Sequence, residues 1–176
     1  MFDSAQSILD GPNVAVSTLS AYLAKRAARR PTAERDAIVY AYATYGQLTS
    51  IGNVLPFAQA VHETACFLSP RWIGSFNPAG LGATNDGAWG KTFTTPAAGI
   101  LAQYAHLLSY ALADGHGTFA QQRLSMYFDP RRAAMGDTRG CAPTWRGLNG
   151  RWAVPGTTYA EKIIEIANAI VTSGGL

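Results

Sequence analysis

The chain has 176 residues, 48% of them apolar and only 14% charged, which suits a packed globular core and excludes a disordered chain. No run reaches about 18 uninterrupted apolar residues, so no membrane-spanning helix is expected. The net charge of +3 and pI near 9.0 suit an anionic partner, but no nucleic-acid motif accompanies them, and nucleic acid is not expected.

Residues 1–16 read as an N-terminal tail, and Met1-Phe2-Asp3-Ser4 lacks the basic and apolar regions of a secretory signal. Residues 17–176 read as one mainly helical domain. Ser17 or Thr18 precedes a helix with Leu19, Tyr22 and Leu23 on one face, and Lys25, Arg26, Arg29 and Arg30 give its end a solvated basic face. Thr32 opens a second helix, with Glu34 and Asp36 in its first turn. Asn53 is placed to cap a third, over about 54–68, with Pro56 tolerated in its first turn. Arg71 to Thr94 is a glycine-rich excursion with turn signals at Asn77-Pro78 and Asn85-Asp86-Gly87 and room for a short β-hairpin. Thr95-Pro96 opens a helix with the stripe Ile100, Tyr104, Leu107, Leu108 and Ala111. Thr118 with Gln121 and Thr158 with Glu161 predict capping boxes on either side of an irregular stretch, 129–156. Cys66 and Cys141 allow at most one bridge.

On the third helix Phe57, Ala60, Val61, Thr64 and Leu68 form a core stripe, while Gln59, His62, Glu63 and Cys66 share another face. Glu63 therefore stands among hydrogen-bonding side chains just before the glycine-rich excursion. A carboxyl in a partly apolar pocket retains its proton to higher pH and can act as an acid. Periodicity alone fits equally an ordinary polar residue near a helix end.

The run Ala58-Gln59-Ala60-Val61-His62-Glu63-Thr64, followed by Asn77-Pro78-Ala79-Gly80-Leu81-Gly82, resembles the glucosaminidase domain of glycoside hydrolase family 73. The similarity continues through Gly87, Gly90, Phe93, Gly99-Ile100 and His106-Leu107-Leu108. It resumes at Arg139-Gly140, Ala142-Pro143-Thr144, Trp152 to Gly156 and Tyr159 to Ile163. The likeness spans roughly residues 17–172, and its specificity lies in the order and spacing of short motifs. It implies a lysozyme-like fold and cleavage of peptidoglycan glycan strands, of endo-β-N-acetylglucosaminidase or muramidase type. It further implies that Glu63 is the catalytic acid, that Asn77 and Gly80 shape the turn lining the sugar subsites, and that Tyr159 is the family's C-terminal tyrosine. Val154-Pro155-Gly156 replaces a Thr-Asp-Pro in that element, which removes an acidic residue.

Of the eleven acids, Asp86 is the best placed second carboxylate, opposite the Glu63 helix, although an Asn-Asp-Gly turn accounts for it equally well. Without it, the substrate's acetamido oxygen could attack, or a lytic transglycosylase reaction could form an anhydro sugar with one acid. Gln59 and His62, beside Glu63, and the loop aromatics Trp89 and Trp145 are expected to meet the sugar.

His62-Glu63-Thr64-Ala65-Cys66 also resembles the start of a zinc-binding helix, with Cys66 where the second histidine stands. That spacing matches no metalloprotease signature, and neither metal nor other cofactor is expected. A non-catalytic wall-binding module is the remaining alternative, against which the intact Glu63 motif argues. The expected setting is the bacterial cell wall, reached by a monomer such as a phage endolysin released by host lysis.

Overall fold

The computed structural model describes residues 1–83 and 90–173. Among these residues eight helices and two short 3-10 turns form the body, and no strand occurs. The helices are α1 (Val16–Arg26), α2 (Thr32–Thr49), α3 (Val54–Glu63), α4 (Pro70–Ser75), α5 (Pro96–Ala111), α6 (Phe119–Phe128), α7 (Arg132–Met135) and α8 (Tyr159–Ser173).

The centre of the body is α3. Every residue from Val54 to Val61 is buried, Gln59 included, so the helix is covered all round and does not carry one core stripe. α8 packs along it, and α2 pairs with α5, which in turn carries α6. Aromatic rings fill the space between α2, α3 and α5. Tyr42 meets Phe57 edge-on at 5.3 Å, and Phe67 meets Trp72 edge-on at 4.8 Å. The first residues, read from sequence as a tail, lie against the body. Ile8 is wholly buried, its N–H donates to Pro143 O at 2.9 Å, and Phe2 N–H donates to Asn168 Oδ1 at 2.8 Å.

Capping follows the sequence at Thr95 and Thr118 but not at Thr32, which lies inside α2 after Pro31, nor at Thr158 and Glu161, which form no capping box among the described residues. Thr95 Oγ1 accepts from Ala98 N–H at 3.1 Å, and Thr118 and Gln121 form their capping box. Asn53 departs from expectation. Its amide grips the backbone of Val14, donating to its O and accepting from its N–H at 2.9 Å each, so it ties the start of α1 to α3 and caps nothing. At the other end of the chain Asn149 Oδ1 accepts from Ala160 N–H at 2.7 Å, and Glu161 is engaged by Asn149 Nδ2 at 2.9 Å.

The excursion after Glu63 begins with a helix not read from the sequence, and the turn signal at Asn77-Pro78 is met by a turn over 78–79. Ser69 Oγ accepts from Trp72 N–H, Pro70 takes the first helical position, and buried Trp72 anchors α4. The first turn of α5 then sits directly on the next bend. A Cβ added to Gly99 would lie 1.8 Å from Phe76 O, so the close approach of helix and turn requires glycine there.

Candidate active site

α3 ends at Glu63, five residues earlier than periodicity suggests. Thr64 Oγ1 donates to Ala60 O at 2.5 Å and accepts from Phe67 N–H at 2.8 Å, closing the helix with a side chain. Ala65, Cys66 and Phe67 then take φ of 49°, 60° and 61° in succession, three non-glycine residues in the left-handed region. Each such residue costs roughly 1–2 kcal/mol. The run is held by Cys66 N–H on Val61 O at 2.8 Å, Ser69 N–H on Thr64 O at 2.9 Å, and the fully buried ring of Phe67. The chain thus reverses its hand immediately after Glu63 and leaves that side chain at the one solvent-reaching end of a buried helix. Strain of this kind collects where surrounding structure fixes a functional geometry.

The Glu63 carboxyl closes a line of polar side chains that runs through the core. Tyr42 O–H donates to Gln103 Oε1 at 2.7 Å. Gln103 Nε2 donates to Gln59 Oε1 at 2.7 Å and to Pro56 O at 2.9 Å. Gln59 Nε2 donates to the Tyr159 hydroxyl at 2.9 Å, and that hydroxyl donates to Glu63 Oε1 at 2.6 Å. The direction of the line is physically determined. Pro56 O can only accept, so the Gln103 amide must turn its NH2 toward it, and each later partner inherits its orientation. Glu63 Oε1 is therefore an acceptor, and a proton on the carboxyl belongs on Oε2. Burial raises the pKa of Glu63. The Tyr159 hydrogen bond and then the Arg71 guanidinium pull it down, and burial prevails.

The face that Oε2 meets is built by Asn77. This side chain is wholly buried, donates to Leu81 O and Lys91 O at 3.0 Å each, and accepts from Leu81 N–H at 2.9 Å. One amide so pins both described ends of the excursion, and Lys91 N–H donates to Leu81 O at 2.8 Å beside it. At the apex Gly80 has φ 64°. A Cβ there would stand 3.5 Å from Glu63 Oε2 and 3.6 Å from Arg71 Nη1, so the missing side chain leaves a slot between carboxyl and guanidinium.

The structure thus brings Gln59, Glu63, Gly80 and Tyr159 together, with Asn77 supporting the turn. Their contacts differ from those expected. Gln59 and Asn77 are buried and work behind the surface, and Tyr159, also buried, reaches Glu63 rather than open solvent. His62 is exposed one residue before Glu63, with its ring edge-on to Tyr159 at 6.0 Å. Its pKa is lowered, first by burial and then by Lys162.

Trp145 is a correction. It is fully buried, because Trp145 N–H and Arg146 N–H donate to Gln6 O and Ser4 O at 3.0 and 2.7 Å, drawing its 3-10 turn under the N-terminal segment. It cannot face a sugar. Asp86 and Trp89 lie outside the described residues. Cys66 and Cys141 are free thiols, and burial pushes Cys66 up to about 11. Among the described residues no three His, Cys, Asp or Glu side chains gather as metal ligands.

Tyr42, Gln103 and Arg71 were not singled out by sequence. A glutamine inside the apolar stripe of α5 is the one signal that could have marked Gln103, since a buried amide requires partners. Comparison of the chain with family models, with curated proteins and with solved structures finds no match.

Proposed function

We propose that the protein is a glycosidase that cleaves the glycan strands of bacterial peptidoglycan, with Glu63 as general acid on a lysozyme-like helical frame. The observation that carries this reading is the state of Glu63. Burial raises the pKa of its carboxyl, which is tied through Oε1 to Tyr159 and presents Oε2 beside Gly80 and Arg71. A glycosidic oxygen entering the Gly80 slot would meet a positioned proton, the requirement for departure of the leaving sugar. The fold reading rests on a buried helix that delivers its terminal glutamate to the edge of a glycine-turned excursion, together with the motif order seen in the sequence. The cell wall would be the site of action, and a phage endolysin the corresponding biological form.

Glu34, Asp114, Asp129 and Glu161 are each engaged by partners of their own, Glu34 by Trp72 Nε1 at 2.9 Å. The candidates for the base role remain those read from the sequence: Asp86, the substrate's acetamido group, or no group at all in a transglycosylase reaction. Mass spectrometry of digested peptidoglycan tests the reading. New reducing ends identify a hydrolase and the bond it cuts, and anhydro ends a transglycosylase. Intact glycan would leave the wall-binding alternative.

A further inference from the structure

On the outer side of the 79–83 turn lies a second, strongly polar cavity of about 120 Å3, and Gly80 is a wall of both it and the Glu63 slot. α5 supplies His106 and Tyr110 to it, one helical turn apart, and Arg131, Arg151 and Trp152 close it. His106 is held on three sides. Its Nδ1 lies 3.0 Å from Asp129 Oδ1 and 3.1 Å from Oδ2, and its ring packs against Tyr110 at 5.0 Å and Trp152 at 4.9 Å. The Asp129 carboxylate accepts at Nδ1, so the ring hydrogen sits there. Nε2, which has no hydrogen bond among the described residues, is left for the cavity.

The arginines of this region divide sharply. Arg132 and Arg139 share Asp114, Arg146 stands 3.9 Å from Glu161, and Arg123 packs over Phe119 and Tyr127. Arg131 and Arg151, the two that line the cavity, make no ion pair among the described residues. The charge facing them is Asp129, which is buried and already committed to His106 and to the Arg131 backbone N–H at 2.8 Å. Two guanidiniums and a ring nitrogen with no partner among the described residues would receive a carboxylate that neighbours an amide. The volume has room for a short acidic arm.

We propose that this cavity is a subsite for the carboxylate of an acidic amino sugar, borne on the glycan beside the bond that Glu63 would cleave. The proposal rests on the glycosidase reading. The amino sugar's amide would hydrogen-bond to His106 Nε2, through its N–H or its carbonyl according to whether that nitrogen accepts or donates, while its acid arm meets Arg131 and Arg151. In peptidoglycan the carboxylate could be the sugar's own ether-linked acid or one on its peptide.

The test measures binding to the Glu63→Gln protein, which leaves ligand uncut, by calorimetry and by tryptophan fluorescence, for which Trp152 is in place. The ligands are a chitin oligosaccharide, an N-acetylmuramic acid disaccharide with its acid free, the same disaccharide as the methyl amide, and its peptide-bearing form. The free acid or the peptide-bearing form should bind about tenfold or more tightly than the methyl amide, and whichever does so identifies the source of the carboxylate. Arg131→Met with Arg151→Met should erase that preference while chitin affinity stays within about twofold. Equal affinity for acid, peptide-bearing form and amide, or a preference that survives both substitutions, overturns the subsite. Discrimination by binding without any cleavage by the wild-type protein would instead retain the subsite and remove the glycosidase.

Discussion

Two polar networks of similar size sit on opposite terms with water. One is the line from Tyr42 through Gln103, Gln59 and Tyr159 to Glu63, made of uncharged phenols and amides that end on one carboxyl and buried along most of its length. The other is the pairing of Arg132 and Arg139 with Asp114, fully ionic and half open to solvent. Formal charge alone would rank the ionic cluster first. Desolvation reverses that order, since a buried group that loses its partner has no water to replace it, whereas exposed ions regain their hydration. The neutral line has a further property the ionic cluster lacks. Amides and phenols transmit donor and acceptor orientation, so the line dictates which Glu63 oxygen can hold a proton.

The largest expected effect comes from ending the line. Glu63→Gln should lower glycan cleavage about 10³-fold or more, because the amide preserves shape and cannot give up a proton. Stability should move the other way. The folded pKa of Glu63 lies above its ordinary 4.5, so its contribution is fully present below that value and is lost as pH rises through the folded pKa. The glutamine variant escapes that loss. Its melting temperature should match wild type near pH 4 and exceed it at neutral pH. Cleavage within tenfold of wild type would take Glu63 out of the mechanism.

Smaller effects follow one and four links back. Tyr159→Phe removes a hydrogen bond that lowers the Glu63 pKa, so that pKa should rise further. The alkaline limb of the kcat/KM profile should move to higher pH, while the maximal rate falls by about tenfold or less. An unmoved limb would mean the phenol only packs. Tyr42→Phe takes the donor from Gln103 Oε1 without touching the Gln59–Tyr159–Glu63 links. It should cost about 1–3 kcal/mol in denaturant unfolding, the penalty of an unsatisfied buried acceptor. The rate should stay within about threefold of wild type.

The same contrast explains what could be read in advance. The capping residues Thr95, Thr118 and Gln121 act within three residues of themselves, and the helices they open are found where the sequence puts them. The placement of Glu63 beside the turn of Asn77 and Gly80 was legible in the order of the motifs. The end of α3 was not, because Ala65, Cys66 and Phe67 have no intrinsic taste for the left-handed region and are held there by Thr64 and the core. Trp145 was misplaced because the segment its turn bonds to lies some 140 residues earlier, at Ser4 to Ile8. Gln103 and Tyr42 acquire their meaning only when α2, α3 and α5 meet.

The weakest effect should come from the cluster with the most charge. Asp114 receives Arg132 through one nitrogen and Arg139 through two, and its carboxyl is held below the usual range, first by the Arg139 hydrogen bond. That depression implies stability present above the ordinary carboxylate pKa and lost as pH falls through the folded one. The carboxylate is open to solvent, however, so its ions exchange protein contacts for water at little net cost, and salt screens what remains. Asp114→Ala should therefore leave the melting temperature unchanged within the error of a thermal scan, at both low and physiological salt. Freed of their shared partner, Arg132 and Arg139 add positive surface, so association with an anionic wall should be no weaker than in wild type. A clear drop in melting temperature, larger than that of Tyr42→Phe, would show that the ionic cluster and not the buried neutral line is the stronger tie.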